Sequence, residues 1–356
     1  MSKFQVTDIV HDEDVLASGK RIKVGTSGKI SFETPLRVGQ DNVKAGIPVY
    51  EAYRTLKVDT LGKCLRDSDY DVDYSRKLKN LRSDGFTILT LGYGSVIEPA
   101  PKQVAIMADL QYINSDVVVM PSWYDLVLKQ DLKLETYIEL SRQFKTVVET
   151  LNNKPTIAAV PQCMPPGDIE EMIKYWMDED IVSFIVDSSA RSPLGGTWMR
   201  NLKREIDRYN VESESILYSV NAYQCHVQKN TEITEARDFL GFNTAFDVIG
   251  GKHVAKGSSE FYEKMTPKTK GKLFDATKYS YLNLECTPKQ VKEYKEESII
   301  RQITEMENIR RSMREGTKVI DLLASKTINE KMIGRLVDFK KDVGKKGRNS
   351  KIDSFI

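Results

Sequence analysis

Between residues 83 and 249, short apolar runs alternate with longer amphipathic stretches. The runs that read as buried strands are Phe86–Leu91, Val117–Met120, Thr156–Val160, Ile181–Val186, Ile216–Val220 and Thr244–Ile249. The stretches between them have apolar residues at helical spacing and predict helices at Pro101–Ile113, Leu134–Leu151, Asp168–Asp178, Trp198–Tyr209 and Thr234–Leu240. Strands that alternate with helices of this length indicate a parallel sheet.

The N-terminal part of the chain has a different pattern. Two β-type runs, Arg21–Val24 and Lys29–Phe32, flank a glycine-rich turn and predict a β-hairpin. Residues 40–80 are charged, show no clear period and predict irregular chain. Aspartates occupy alternate positions from 67 to 73, but the glycine and distal glutamate of an EF-hand loop are missing. A solvated loop is therefore favoured over a calcium site.

The C-terminal part is charged. Val291–Glu315 predicts a helix with one apolar face, which ends at Gly316. Residues 340–351 are basic and lack apolar partners. This segment is either a solvated tail or an arm that binds phosphates.

The number of strand–helix units decides between two parallel architectures. About eight units in one continuous domain favour a closed barrel over an open, doubly wound sheet. No G-x-G-x-x-G turn follows an early strand, as a dinucleotide fold would require. We predict an α/β fold: a TIM-like (β/α) barrel with an N-terminal β-hairpin and a C-terminal helical extension. Residues 1–325 form the barrel with its hairpin, and residues 326–356 form a basic C-terminal tail.

Composition narrows the setting of the protein. The 356 residues are 40% hydrophobic and 29% charged, as in ordinary globular proteins. No apolar run approaches the roughly 20 residues of a membrane span, and no secretory leader is seen, so we expect no membrane partner. The four cysteines fit no disulfide framework and favour a reducing, cytoplasmic location. With a net charge of only +2, a nucleic-acid partner would need a local basic patch.

Candidate chemistry follows from the predicted barrel, because its active site would lie at the carboxyl ends of the strands. The polar residues that we assign to this end are Asp84, Ser122, Gln162, Asp187, Asn221 and Asp247. Asp247 stands between Phe246 and Val248, and an ionisable group in an apolar strand costs free energy unless it is paired or used. The alternative is a strand-end aspartate bonded to backbone amides. Asp84 and Asp247 together would suit a two-step displacement at a sugar carbon.

The order of several short motifs resembles that of the tRNA-guanine transglycosylase family. The motifs run, in chain order, through Gly28-Lys29-Ile30 with Thr34-Pro35, Ser83-Asp84-Gly85-Phe86, Tyr93-Gly94, Val160-Pro161-Gln162-Cys163, Leu194-Gly195-Gly196, Gly241 with Phe246-Asp247, and Ile309-Arg310-Arg311 with Gly316. The resemblance covers about residues 15–325. Each motif is weak, but the ordered set is fairly specific.

The resemblance implies base exchange: guanine in a nucleic acid is replaced by a 7-deazaguanine through a covalent glycosyl-enzyme. Asp247 would be the nucleophile, and Asp84 would be the general acid and base. Ser122, Gln162, Asp187 and the backbone of Gly195 and Gly196 would hold the base, which must leave its stack to reach such a pocket.

This sequence departs from the family at two places. The family's zinc motif, C-x-C-x-x-C with a distant histidine, is reduced to Cys286, so zinc is not an expected cofactor. A replacement site of Cys225, His226, His253 and Cys286 is the alternative, although isolated residues of these types are more often structural. A base-recognising aspartate of the family falls near Pro121-Ser122, so that contact is altered.

These departures, together with no RNA-binding domain after the barrel, favour the DpdA-type DNA 7-deazaguanine transglycosylases. DNA is then the expected substrate, and the host cytoplasm the location if the chain is phage-encoded. An enzyme acting on tRNA, a non-catalytic nucleic-acid-binding partner subunit and an unrelated β/α-barrel enzyme are the alternatives. A homodimer is left open, as are the base inserted and the sequence context.

Overall fold

The computed structural model describes residues 4–24, 30–44, 46–130, 132–151, 154–188, 191–194, 196–224, 232–253, 269–326 and 330–344. Its strands and helices follow in chain order: β1 (Phe4–His11), β2 (Ser18–Val24), β3 (Ile30–Thr34), β4 (Leu36–Arg37), β5 (Val49–Leu56), α1 (Val58–Arg66), α2 (Ser68–Lys79), β6 (Phe86–Tyr93), α3 (Pro101–Asn114), β7 (Val118–Val119), α4 (Tyr124–Gln130), α5 (Leu134–Leu151), β8 (Thr156–Pro161), α6 (Ile169–Asp178), β9 (Phe184–Asp187), α7 (Thr197–Asp207), β10 (Leu217–Val220), β11 (Ile233–Glu235), β12 (Val248–Ile249), β13 (Thr269–Asp275), β14 (Ser280–Cys286), α8 (Pro288–Arg314), α9 (Val319–Ser325) and α10 (Glu330–Gly344).

Parallel strands form the centre of the fold. One sheet has the order β4-β12-β10-β9-β8-β7, and β5 and β6 form a separate parallel pair. Two contacts join the pair to the sheet: Gly39, beyond β4, makes a parallel bridge with Tyr50 of β5, and the Asp116 amide before β7 donates to the Thr87 carbonyl of β6 at 3.0 Å. The predicted α/β fold with parallel strands and intervening helices is therefore confirmed.

Alternate strand residues face two different apolar layers. One cluster of buried side chains from strands β4 to β12 includes Val38, Val49, Ile88, Ile185 and Val248. A second cluster lies on the other face of the strands, where the helices pack, and includes residues of α3, α5, α6 and α7. Both faces of the strands are thus covered, which explains why the strand sequences are continuously apolar.

The N-terminal strands cover the amino end of the parallel strands. β1, β2 and β3 form an antiparallel sheet, and Phe4, Ile22 and Phe32 from this sheet join the inner cluster. A further antiparallel sheet, in the order β11-β14-β13, packs on α8. The N-terminal sheet therefore packs against the amino end of the parallel strands, whereas their carboxyl ends lead into the loops that hold the site.

Three predictions about local structure are wrong. Residues 330–344 were assigned to a basic tail, but they form α10, in which Met332, Leu336, Phe339 and Val343 are buried; residues 345–356 lie outside the described residues. Residues 40–80 contain β5, α1 and α2, and Asp67 caps α2 by accepting from the amides of Asp69 and Tyr70. The alternating aspartates belong to an exposed helix, whose many charges hide its period. Thr234–Leu240 is not helical throughout: it holds most of β11 and the start of a 3₁₀ turn over Phe239–Asn243, because strand pairing with β14 overrides local preference.

None of the helices in the described ranges is long and apolar enough to cross a membrane.

Candidate active site at the carboxyl ends of the strands

A chain of buried hydrogen bonds crosses the carboxyl ends of the strands. Asp187, the last residue of β9, accepts from the Ser122 hydroxyl at 3.0 Å and from the Asn221 amide at 3.1 Å. The backbone amide of Gln162 donates to the Asp187 carbonyl at 2.9 Å. These residues follow or end β7, β8, β9 and β10, so parallel strands bring together positions that are far apart in sequence.

The same network continues to an imidazole. The backbone amide of His253 donates to the Asn221 side-chain oxygen at 2.8 Å. His253 Nε2 is hydrogen-bonded to Oε1 of Glu51. Glu51 lies in β5, and its backbone amide donates to the carbonyl of Gly39, beyond β4, at 2.9 Å. Gly251 donates its amide to the same oxygen at 2.8 Å, and the Gln40 side chain donates to it as well.

The electrostatics of Glu51 favour the ionised carboxylate. Burial by itself would raise the pKa of this carboxyl, but the charge of His253 and hydrogen bonds from His253 and Gly251 hold the pKa below its ordinary value. Only Oε1 receives these bonds, and Oε2 has no hydrogen-bond partner in the structure as described. Glu51 and His253 therefore form a carboxylate–imidazole pair in which the carboxylate holds the ring in position.

Two glycines after β12 allow this pair to form. A Cβ on Gly250 would lie 2.3 Å from Glu51 Oε2 and 2.7 Å from the Ser219 carbonyl oxygen. A Cβ on Gly251 would overlap the Gln40 side chain at 1.7 Å. Only glycine lets the backbone approach these buried polar groups so closely.

Tyr53 supplies the flat wall of the site. Its ring stacks on His253, with ring centroids 4.9 Å apart and an interplanar angle of 3°. Burial, and then the nearby negative charge of Asp187, raise the pKa of Tyr53 well above its ordinary value. The phenol therefore stays protonated and retains an O–H that can donate a hydrogen bond.

Cys163 lies beside the network. Burial raises the pKa of its thiol to about 11, and the positive charge of Arg191 only partly offsets this. Because the thiolate is the nucleophilic form, Cys163 is a weak nucleophile here.

Asp247 does not lie at the carboxyl ends, which corrects its expected location. It precedes β12, and its amide donates to the Leu217 carbonyl at the start of β10. Its Oδ2 accepts from the Leu217 amide at 2.9 Å and from Lys20 Nζ at 3.1 Å. The carboxylate is 1% exposed, so Asp247 and Lys20 form a buried ion pair at the amino ends of the strands.

Asp84 also lies at the amino end of its strand, because it precedes β6 and is exposed. This differs from the expected position of both carboxylates on one mouth of a barrel. The reason is one of direction: the chain enters a strand after these aspartates, whereas Ser122, Gln162 and Asp187 follow or end their strands.

The remaining expected site residues are only partly described. Gly196 begins α7 with a φ of +91°, which suits glycine, and Gly195 lies outside the described residues. Cys225 and His226 also lie outside them. Cys286 ends β14 and packs on Gly271, while His253 is bonded to Glu51. No group of three or more metal-binding side chains forms among the residues that the structure describes.

Glu51 and Tyr53 were missed from the sequence. They stand at alternate positions of β5, a stretch that reads as irregular chain because Glu51, Arg54 and Thr55 interrupt its apolar residues. The usable signal was Gly250-Gly251-Lys252-His253 directly after an apolar strand, since paired glycines beside a histidine mark a close approach of backbone to buried side chains.

Comparisons with known proteins identify no family. A scan against protein-family models finds no match, and neither does a search of curated proteins. Among solved structures, the chain is similar to N-isopropylammelide isopropylaminohydrolase from Burkholderia multivorans ATCC 17616, with 11% identity and a TM-score of 0.39 over 83% of this chain and 61% of that one. It is also similar to the carboxyl transferase domain of Rhizobium etli pyruvate carboxylase, with 12% identity and a TM-score of 0.36 over 83% of this chain and 40% of that one. The chain thus spans less than two thirds of either protein, and similarity at this level identifies neither a family nor an activity.

Proposed function

We infer that the parallel strands close into an eight-stranded barrel. The six-stranded sheet ends at β4 and β7, and the β5–β6 pair fits between these edges through the Gly39–Tyr50 bridge and the Asp116-to-Thr87 hydrogen bond. Closure in the order β4 to β10 and then β12 gives each strand two neighbours, as in a (β/α)₈ barrel. The site described above would then occupy the mouth.

We propose that the chain is an acid–base enzyme with its active site at this mouth. The observation that carries the proposal is the buried Glu51–His253 pair, joined through Asn221 to Asp187 and Ser122. A histidine held by a carboxylate, next to a row of polar groups at the carboxyl ends of β-strands, is an arrangement that transfers protons.

His253 would be the proton carrier. Its Nε2 is committed to Glu51, so Nδ1 is the ring nitrogen that takes or delivers a proton. The charge of Glu51 stabilises the imidazolium that forms, and stacking on Tyr53 keeps the ring in one plane. The Glu51 carboxylate acts through the imidazole, because Oε2 is packed against Gly250.

Asp187 would recognise the base by accepting hydrogen bonds from its edge. Guanine and 7-deazaguanine carry adjacent N–H donors on one edge, and a carboxylate accepts from such an edge. The resemblance places a base-recognising aspartate near Ser122, where this chain has none. The Ser122 hydroxyl bonds the Asp187 carboxylate, so the neighbouring strand supplies a carboxylate beside that position. Gln162 lies at the same end, and its backbone amide donates to the backbone carbonyl of Asp187.

The reaction we propose is exchange of guanine in a nucleic acid for a 7-deazaguanine, with DNA as the favoured substrate. The bond from C1′ to guanine would break as His253 protonates the departing base, which leaves an oxocarbenium-like C1′. The incoming 7-deazaguanine would then form the new bond to C1′ and give up its proton to His253. Asp187, Ser122 and Gln162 would hold each base in turn. The proposal differs from the sequence expectation in two ways. His253 takes the acid–base role expected of Asp84, and the exchange proceeds without a covalent glycosyl-enzyme on Asp247, because both aspartates lie at the amino ends of their strands.

Label exchange tests this proposal. The protein is incubated with radiolabelled guanine and either DNA or tRNA, and label in the polymer is counted. Loss of a proton carrier typically costs about 10²–10⁴-fold, so His253→Gln should fall by that factor and Asp187→Asn should fail to hold the base. His11→Gln is the matched control, because His11 is exposed and bonded to Glu212 away from the site. Full activity of His253→Gln, with loss in Asp247→Asn, would overturn the residue assignment.

A non-catalytic nucleic-acid-binding partner is the second candidate. The observation in its favour is that Asp247, the nucleophile implied by the resemblance, is bonded to Lys20 and the Leu217 amide. It predicts no label in DNA or tRNA, but binding of DNA that does not require His253.

A further inference from the structure

A cavity of about 430 Å³ opens at the amino ends of β9, β10 and β12, on the side away from the candidate active site. Its volume lies at the lower end of the roughly 300–1,000 Å³ of small-molecule sites. The walls include the apolar side chains of Phe184, Ile206, Val211 and Leu217.

The Lys20–Asp247 pair forms the polar floor. Lys20 is 6% exposed and Asp247 1% exposed, and they meet at 3.1 Å. Asp247 Oδ2 takes two hydrogen bonds, but Oδ1 is buried and has no partner in the structure as described. Lys20 has three N–H groups, of which two reach Asp247 and the Ser215 carbonyl, the latter at 3.5 Å. Within the described residues, the floor therefore holds one carboxylate oxygen without a donor and one lysine N–H without an acceptor.

The charged groups at the rim are largely paired with one another. Lys203 bonds Asp207, and His11 lies 3.4 Å from Glu212. Lys340 donates to the backbone carbonyl of Asp12. The floor pair is the polar feature that a bound molecule would have to match, because an unpaired buried carboxylate oxygen costs free energy.

We propose that this cavity binds a small neutral carboxamide. A carboxamide has an N–H donor for Asp247 Oδ1 and a carbonyl oxygen for the third N–H of Lys20 on adjacent atoms. A carboxylate in its place would face Asp247, and an ammonium would face Lys20, so charged analogues are disfavoured. A flat or short apolar body would pack on Phe184 and Leu217.

Calorimetric titration of the full chain with nicotinamide tests the proposal. Nicotinic acid and 3-picolylamine have the same ring with an anionic or a cationic substituent, and each should bind at least about tenfold more weakly. Asp247→Asn should weaken nicotinamide at least about tenfold, because the new amide turns its oxygen to Lys20 and opposes one N–H donor with another. Val211→Phe narrows the cavity without touching the pair, and should abolish binding even if Asp247→Asn fails to fold.

Asp187→Asn is the control at the opposite end of the strands, and it should leave nicotinamide binding unchanged. Loss of binding in Asp187→Asn would place the nicotinamide at the candidate active site and overturn the proposal. Equal affinity for all three compounds, or no binding by any of them, would also overturn it and leave a cavity that holds water only. None of these outcomes depends on base exchange.

Discussion

Replacing Lys20 with Met tests whether Asp247 is a structural partner. The change keeps the apolar stem and removes the charge, which leaves a carboxylate of 1% exposure without its cation. Breaking a buried pair on one side costs about 3–5 kcal/mol. The Leu217 amide still bonds Oδ2 at 2.9 Å, and water can enter from the adjoining cavity, so the lower end, about 3 kcal/mol, is expected.

This loss of stability lowers the melting temperature by an amount that the unfolding entropy sets. Unfolding entropy is about 2.1 cal/mol/K per residue, or roughly 0.7 kcal/mol per degree for the 356 residues. Lys20→Met should therefore melt about 4 °C below the parent in a calorimetric scan. Lys318→Met is the matched control: Lys318 is exposed and pairs with Glu13 at 3.0 Å, so its loss should leave the melting temperature nearly unchanged.

The double variant Lys20→Met, Asp247→Leu separates charge from shape. Replacing both members of a buried pair by apolar residues is often neutral, so the double variant should recover most of the loss. The reasoning is refuted if Lys20→Met melts within about 1 °C of the parent. It is refuted equally if the second change adds a further loss of the same size as the first.

Three further outcomes are expected. Gly250→Ala should destabilise the fold by about 2 kcal/mol or more in urea titration, since its Cβ would meet Glu51 Oε2 at 2.3 Å, whereas Gly167→Ala, with open space around it, should stay within about 0.5 kcal/mol. The pKa of Glu51 in the folded protein lies below its ordinary value of 4.5, so the stability that the ionised carboxylate contributes is present above pH 4.5 and is lost as the pH falls through the folded pKa. Glu51→Gln should therefore lose less of its melting temperature than the parent when melts are compared from pH 6 down to pH 3. Removing residues 345–356 should leave the melting temperature unchanged and weaken DNA binding most at low salt; equal affinity at every salt concentration would mean that the tail takes no part in binding.

Strong periodicity made much of the parallel sheet predictable. The helices at Leu134–Leu151 and Pro101–Asn114 and the strand at Thr156–Pro161 match their predicted bounds closely. The first has one apolar face at helical spacing, and the strand is a continuous apolar run. β5, α1 and α2 were not predicted. β5 carries Glu51 and Tyr53 on its inner face, and α1 and α2 are dominated by charges, so none of them shows a simple pattern.

The site was predictable in part. Ser122, Gln162 and Asp187 were assigned to the carboxyl ends because each follows or ends an apolar run, and the structure places them together. Asp84 and Asp247 were assigned to the same end, but each lies before its strand. A polar residue that flanks a strand can lie at either end of a sheet, and only the side of entry decides which.

The sequence by itself determined the alternation of strands and helices, since that depends on local periodicity and on burial of both sheet faces. Only the tertiary structure decided which polar groups meet. Glu51 and His253 are separated by 202 positions, and Lys20 and Asp247 by 227. No local pattern specifies such a contact, because it depends on strand order, on stagger and on the close approach that Gly250 and Gly251 permit.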